Sequence, residues 1–166
     1  HDILETAFEK YHLPYFMDDT YTVDNNPLSR FCLALSAVIT GNYETTEIIK
    51  LLKCSLLPFT LEEIAILENY TYVWGIEGKQ WLEPFTANPR GLKGEWTEKD
   101  RRDLEIANRI REYIISPLER FKRHTTAQVF EEMVREFYQL LVQLGLPEAV
   151  TATIRRYEEA GDFAHS

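Results

Sequence analysis

Thr60–Gly75 reads TLEEIAILENYTYVWG, and its punctuation is that of an α-helix. Thr60 and Glu63 stand three apart ahead of an apolar run. The threonine oxygen can therefore accept from the Glu63 amide while the Glu63 carboxylate reaches back to the Thr60 amide. Leu61, Ile64, Ala65, Leu67, Tyr72 and Val73 follow at helical spacing and are available for burial. Gly75 suits the left-handed residue that ends such a helix. The period is 3.6 rather than 2, so this stretch belongs to a helix and not to a strand.

The same period runs outward in both directions. Upstream, residues 3–11 place Ile3, Leu4, Ala7, Phe8 and Tyr11 on one stripe. Leu13-Pro-Tyr-Phe-Met17 reads as a short extended piece, because Pro14 forces the residues before it away from helix. Asn26-Pro27 pairs a capping side chain with a proline at the first helical position. The helix it opens carries Leu28, Phe31, Cys32, Leu35, Val38 and Ile39 inward and stops at Gly41-Asn42. Asn42 is expected to cap the next helix, whose face is Ile48, Ile49, Leu51 and Leu52, ending near Pro58.

Downstream, Gly78, Gly91, Gly94, Pro84 and Pro89 make residues 76–96 the longest irregular connection. Thr97-Glu-Lys-Asp100 restarts a helix with Leu104, Ala107, Ile110, Tyr113 and Ile114 inward. Ser116-Pro117 is expected to bend or restart it before Leu118 and Phe121. Thr125 or Thr126 caps a helix with Val129, Phe130, Met133, Val134, Phe137, Leu140, Leu141 and Leu144 at heptad-like spacing, closed by Gly145. A last short helix starts at Pro147 and frays after Gly161. The expectation is one all-α domain over 1–166, an irregular bundle of about seven or eight helices with at most one short strand near 13–17. Its core should hold Phe31, Leu35, Leu52, Ile64, Leu67, Ile110, Phe130, Met133, Phe137 and Leu141.

Composition bounds function. With 166 residues and 45% hydrophobic side chains the chain can bury a real core. A net charge of −9 argues against an autonomous nucleic-acid-binding module, since phosphate rewards clustered cations. The asymmetry is informative: residues 1–90 hold 6 basic and 13 acidic side chains, and residues 91–166 hold 12 and 14. Any DNA contact is therefore expected in the second half. Cys32 and Cys54 lie in apolar helical runs outside any CxxC or Cys/His cluster, which reads as buried free thiols in a reducing, cytoplasmic setting. No apolar run approaches the roughly 20 residues of a membrane span. The sequence opens at His1 and runs straight into amphipathic residues, the pattern expected of a piece of something longer.

Residues that carry chemistry are sparse. The sequence holds no phosphate-cradling Gly-x-x-x-x-Gly-Lys-Ser/Thr run, no Gly-x-Ser-x-Gly, no His-Glu-x-x-His and no calcium-loop spacing. His1, His12, His124 and His165 show no metal-ligand pairing, and Asp18-Asp19 reads as a turn. Arg101, Glu105 and Arg109, with Glu98 and Arg102, form a charge ladder that usually faces water. Arg120-Phe-Lys-Arg-His124 is the one cationic run; Phe121 is expected inward, leaving Arg120, Lys122 and Arg123 as candidate phosphate contacts. In Glu68–Trp81, ENYTYVWGIEGKQW, the aromatics Tyr70, Tyr72 and Trp74 read as core or interface groups. Lys79 is a weak anion lure, and Trp81 and Trp96 are candidate contacts with other domains.

Three stretches together carry a resemblance. Leu67–Trp81, Phe8-Glu-Lys-Tyr-His-Leu-Pro-Tyr-Phe-Met-Asp18, and Asn26-Pro-Leu with Thr40-Gly-Asn42 and Leu51-Leu-Lys-Cys-Ser-Leu-Leu57 resemble, in order, the B subunit of the AddAB-type ATP-dependent helicase–nuclease (AddB), known as RexB in some bacteria. The likeness covers about residues 3–82 well and the remainder by helical character. It implies that the 13–17 strand belongs to the second RecA-like lobe and that the helices after it form a subdomain inserted in that lobe. It further implies that the intact AddB-type protein works with the A subunit on double-strand DNA ends for recombinational repair, recognises a regulatory sequence and carries a nuclease domain near its carboxyl end. ATP and Mg, with an iron–sulfur cluster as a further candidate, are implied for the parent and not for this segment. The helicase ATP motif, the Asp…Glu-x-Lys nuclease signature and the cluster cysteines are all missing from this sequence, so no catalytic, cofactor or metal residue carries over. The expectation is an architectural helical block that neither hydrolyses ATP nor cuts DNA. Its rivals are the inserted subdomain of an ordinary superfamily-one helicase and a helical protein-binding adaptor.

Overall fold

The computed structural model describes residues 26–92, 95–125 and 130–162, the last without the side chains of 160–162. Within them run six α-helices: α1 Pro27–Thr40, α2 Thr45–Leu52, α3 Leu61–Trp74, α4 Glu98–Thr125, α5 Phe130–Gln143 and α6 Leu146–Asp162. A 3₁₀ helix, Gly78–Leu82, lies in the connection after α3, and no strand occurs among the described residues. The all-α expectation holds, and the six helices are a count of the described residues alone. The candidate strand at 13–17 and the stripe at 3–11 lie outside the described residues.

Local chemistry sets several boundaries as read. The Asn26 side chain accepts from the Leu28 amide at 2.9 Å, with Pro27 opening α1. Thr60 and Glu63 make both halves of the capping box on α3, and Gly75 ends it at φ 57°. At α4, the Thr97 amide donates to the Asp100 carboxylate at 2.7 Å and the Asp100 amide to Thr97 Oγ1 at 3.3 Å.

Other boundaries differ. Asn42 does not cap α2, whose first residue, Thr45, donates its amide to Glu77 at 3.0 Å. Pro117 does not interrupt α4, a single helix of 28 residues. A proline removes one intrahelical donor; burial of Ile114, Ile115, Leu118 and Phe121 on both sides of it holds the helix together. The last helix, α6, is not short but 17 residues long. Any cap from Thr126 lies outside the described residues.

The core joins α1, α2 and α3 to the inner face of α4, and Leu140, Leu144 and Leu146 add the α5–α6 turn to it. Phe31, Leu35, Leu52, Ile64, Leu67 and Ile110 are buried as expected, and Phe137 and Leu141 pack at its edge. Phe130 and Met133 are not core: they are 77% and 40% exposed, because the first turns of α5 extend past the layer that covers Leu140. Cys32 and Cys54 are half-buried free thiols, and burial pushes the Cys54 thiol up. The Arg101 side chain meets Glu98 at 3.5 Å, while Arg109 leaves the ladder to pair with Glu63 of α3.

Candidate functional site

The aromatic-dense segment 68–81, the end of α3 and the turn after it, is consumed by structure. Gly75 turns the chain, the Ile76 carbonyl accepts from the Thr45 hydroxyl, and Glu77 caps α2. Gly78 has φ 56°, and a Cβ there would lie 3.3 Å from the Asn42 amide nitrogen. Its own amide donates to the Tyr43 carbonyl at 3.2 Å. Trp81 is fully buried, its indole N–H donating to Thr45 Oγ1 at 2.9 Å and its ring edge-on to Phe85. Trp81 is thus corrected from a candidate interdomain contact to a core residue. The indole finds both apolar cover and an acceptor inside the fold. Tyr70 is buried and stacked on Phe85, with its hydroxyl accepting from the Ala87 amide, whereas Tyr72 is exposed. Trp74 donates to the Asn88 carbonyl at 3.0 Å.

Two polar clamps tie Phe85 and Arg90 to α4. Asn108 of α4 pairs with the Phe85 backbone, accepting from its amide and donating to its carbonyl, both at 2.8 Å. Arg90 grips Asp100 with two bonds of 2.8 and 2.7 Å. The guanidinium, helped by Thr97, holds the Asp100 carboxyl well below the usual carboxylate range although the residue is only 2% exposed. Sequence reasoning missed both clamps, since an Arg and an Asp ten residues apart carry no local signal. Trp96 is 40% exposed on this surface and remains open to contact.

The cationic run occupies the last turns of α4 and is split by its own helix. Glu119 and Lys122 face Tyr43, a buried residue held at φ 55°. The Tyr43 hydroxyl donates to Glu119, and Lys122 Nζ sits 3.8 Å from the Tyr43 ring centroid. Burial and the neighbouring carboxylate push the Tyr43 hydroxyl above its ordinary range, and burial pulls Lys122 down. Phe121 points inward as expected, edge-on to Phe137. Lys122 is therefore turned toward the interior, unlike the exposed Arg120 and Arg123. Those two line a cleft of about 680 Å³ with Ser116, Pro117, His124 and Gln143. His124 Nδ1 lies 3.4 Å from the Glu136 carboxylate of α5. Two guanidinium groups on one wall of an open cleft suit an anionic ligand bound from outside.

Among the described residues no group of three or more His, Cys, Asp or Glu side chains comes together as a metal site. No helix among them is long and apolar enough to cross a membrane.

No protein-family model matches the chain. Individual curated proteins do. The B subunit of ATP-dependent helicase/deoxyribonuclease from Alkaliphilus metalliredigens is 26% identical over 171 aligned positions, covering 98% of this chain and 15% of that protein. Its namesake in Clostridium tetani is 30% identical over 163 positions, covering 95% and 14%. That of Alkaliphilus oremlandii is 32% identical over 146 positions, covering 79% and 13%. The chain thus spans about a seventh of the length of the curated relatives it matches.

Proposed function

We propose, from the homology of this chain to one segment of the B subunits of ATP-dependent helicase/deoxyribonuclease, that it is an architectural helical block of a DNA-end-processing enzyme. The observation that carries this reading is the alignment of nearly the whole chain with relatives bearing that name. In it the block performs no chemistry: ATP and Mg, and an iron–sulfur cluster, belong to other segments of the longer protein. The block shapes the path of DNA or the contact with the A subunit, in the cytoplasm, during repair of double-strand breaks by recombination. The exposed pair Arg120 and Arg123 supplies the phosphate contact, with Lys122 supporting the turn from inside.

The test is titration of a fluorescent duplex bearing a single-stranded tail over a range of salt. Binding by the wild-type chain should weaken steeply with salt, and the Arg120→Glu/Arg123→Glu double variant should lose it. Absence of binding even at low salt sinks the DNA contact and favours the protein-binding reading. That second reading has its own support in the exposed apolar side chains Phe130, Val134, Tyr138, Ile154 and Tyr157 on α5 and α6.

A further inference from the structure

The cleft holding Arg120 and Arg123 reaches α5 at Gln143, where a second cleft begins. Gln143, in the last turn of α5, lines it and also lines a second cleft of about 530 Å³, which runs along α6 past Gly145, Glu148, Ala149 and Ala152 to Arg156. The two spaces therefore share a wall. Arg120 and Arg123 on α4 line the first cleft and Arg156 on α6 lines the second, all three exposed. The amide of Gln143 between them can donate to a phosphate oxygen and accept from a sugar or base. Small side chains at Gly145, Ala149 and Ala152 keep the second floor low. From Glu148 to Arg156 the helix rises about 12 Å, the span of three to four nucleotides of a stacked strand at about 3.4 Å each.

We infer that one nucleic-acid strand crosses these two neighbouring clefts, its backbone held by Arg120 and Arg123 in the first and by Arg156 in the second, with Gln143, which lines both, between them. The inference rests on the DNA contact proposed above and extends it to a path with a direction across the fold. Glu148 opposes the path: it lines the same cleft as Arg156, and its charge reaches the nearby Tyr113 hydroxyl, helping to raise it. With Glu148 and Arg156 together the second cleft is close to neutral, so the grip there is weak and releasable. Arg155 is the internal control, an exposed arginine next in sequence that lines neither cleft.

The test uses the 166-residue chain, a fluorescein-labelled single strand and the same strand annealed to its complement. Circular dichroism shows that each variant is folded. Arg156→Gln should lower single-strand affinity several-fold and reduce the salt slope by about 1, and Arg120→Gln should do the same. Glu148→Gln should raise affinity, while Arg155→Gln leaves it unchanged. If Arg120→Gln weakens binding but Arg156→Gln behaves like Arg155→Gln, the extended path is wrong and the α4 contact survives. Equal losses for Arg155→Gln and Arg156→Gln mark diffuse attraction and also overturn the path. A strand that binds no variant and no wild type overturns the DNA contact itself. Tighter binding of the duplex than of the single strand refutes a one-strand groove.

Discussion

Thr45 is the residue on which the first half of the fold turns. Its amide is capped by Glu77, and its hydroxyl donates to the Ile76 carbonyl and accepts from Trp81 at 2.9 Å. Thr45→Val keeps the shape and removes the hydroxyl, leaving a buried indole N–H without an acceptor. The expected loss is about 1–3 kcal/mol by urea denaturation, with Thr45→Ser recovering most of it. A variant as stable as wild type shows that the indole finds another acceptor. Asp100 makes a pH-dependent contribution whose sign is fixed. Its carboxyl is depressed in the folded chain, first by Arg90 and then by Thr97. The stabilisation is therefore present above the unfolded carboxylate value of roughly 3.9 and is lost as pH falls toward the folded value. The gap in urea midpoint between wild type and Asp100→Asn should be wide at neutral pH and shrink in acid. A constant gap means that Asp100 contributes by packing alone. Neither the Thr45–Trp81 bond nor the Arg90–Asp100 pair was legible beforehand. Thr60 and Glu63 announce themselves by spacing, but Thr45 and Trp81 are 36 residues apart and meet only because the α3 exit folds back.

At the scale of elements, the helices were legible where both partners of a cap sit within one turn. Asn26, Thr60 and Thr97 all cap as read, and all act on amides two or three residues ahead. The start of α2 was misread for the converse reason. Asn42 is a good capping residue on local grounds, yet Tyr43 adopts a left-handed φ of 55° and Asn42 ends up beside Gly78. The donor at Thr45 is taken by a carboxylate 32 residues away, favourably placed at the positive end of the helix. Glu77→Ala should accordingly cost about 1 kcal/mol, while Asn42→Ala costs less than half of that. Equal effects would restore Asn42 as the cap. Pro117 shows the opposite limit. The local rule predicts a break, and tertiary burial of Ile114, Ile115, Leu118 and Phe121 overrides it. The continuity of α4 carries Arg120 and Arg123 on one rigid rod from the core to the candidate cleft.

At the scale of the molecule, periodicity tells which face of a helix is apolar but not how far along it the cover extends. The α5 stripe runs without interruption from Phe130 to Leu144, yet its last turns are buried and its first are open. Beyond the Gly145 turn, α6 completes the α5–α6 hairpin, and its far end likewise leaves Ile154 and Tyr157 exposed. Exposed large apolar side chains grouped on two successive helices fit a contact in a larger assembly, consistent with relatives about seven times longer than this chain. The two ends of the stripe should therefore respond differently to substitution. Leu140→Ala removes a side chain that is 1% exposed and should cost about 2–5 kcal/mol. Phe130→Ser alters a side chain already in water and should change stability by no more than about 0.5 kcal/mol. It should also reduce binding of a hydrophobic dye to the folded chain, which Leu140→Ala should not. Urea denaturation of both variants, with dye fluorescence below the transition, checks the pair. A Phe130→Ser loss comparable to that of Leu140→Ala would mean that the whole stripe is buried in solution and that the hairpin has no free face to offer.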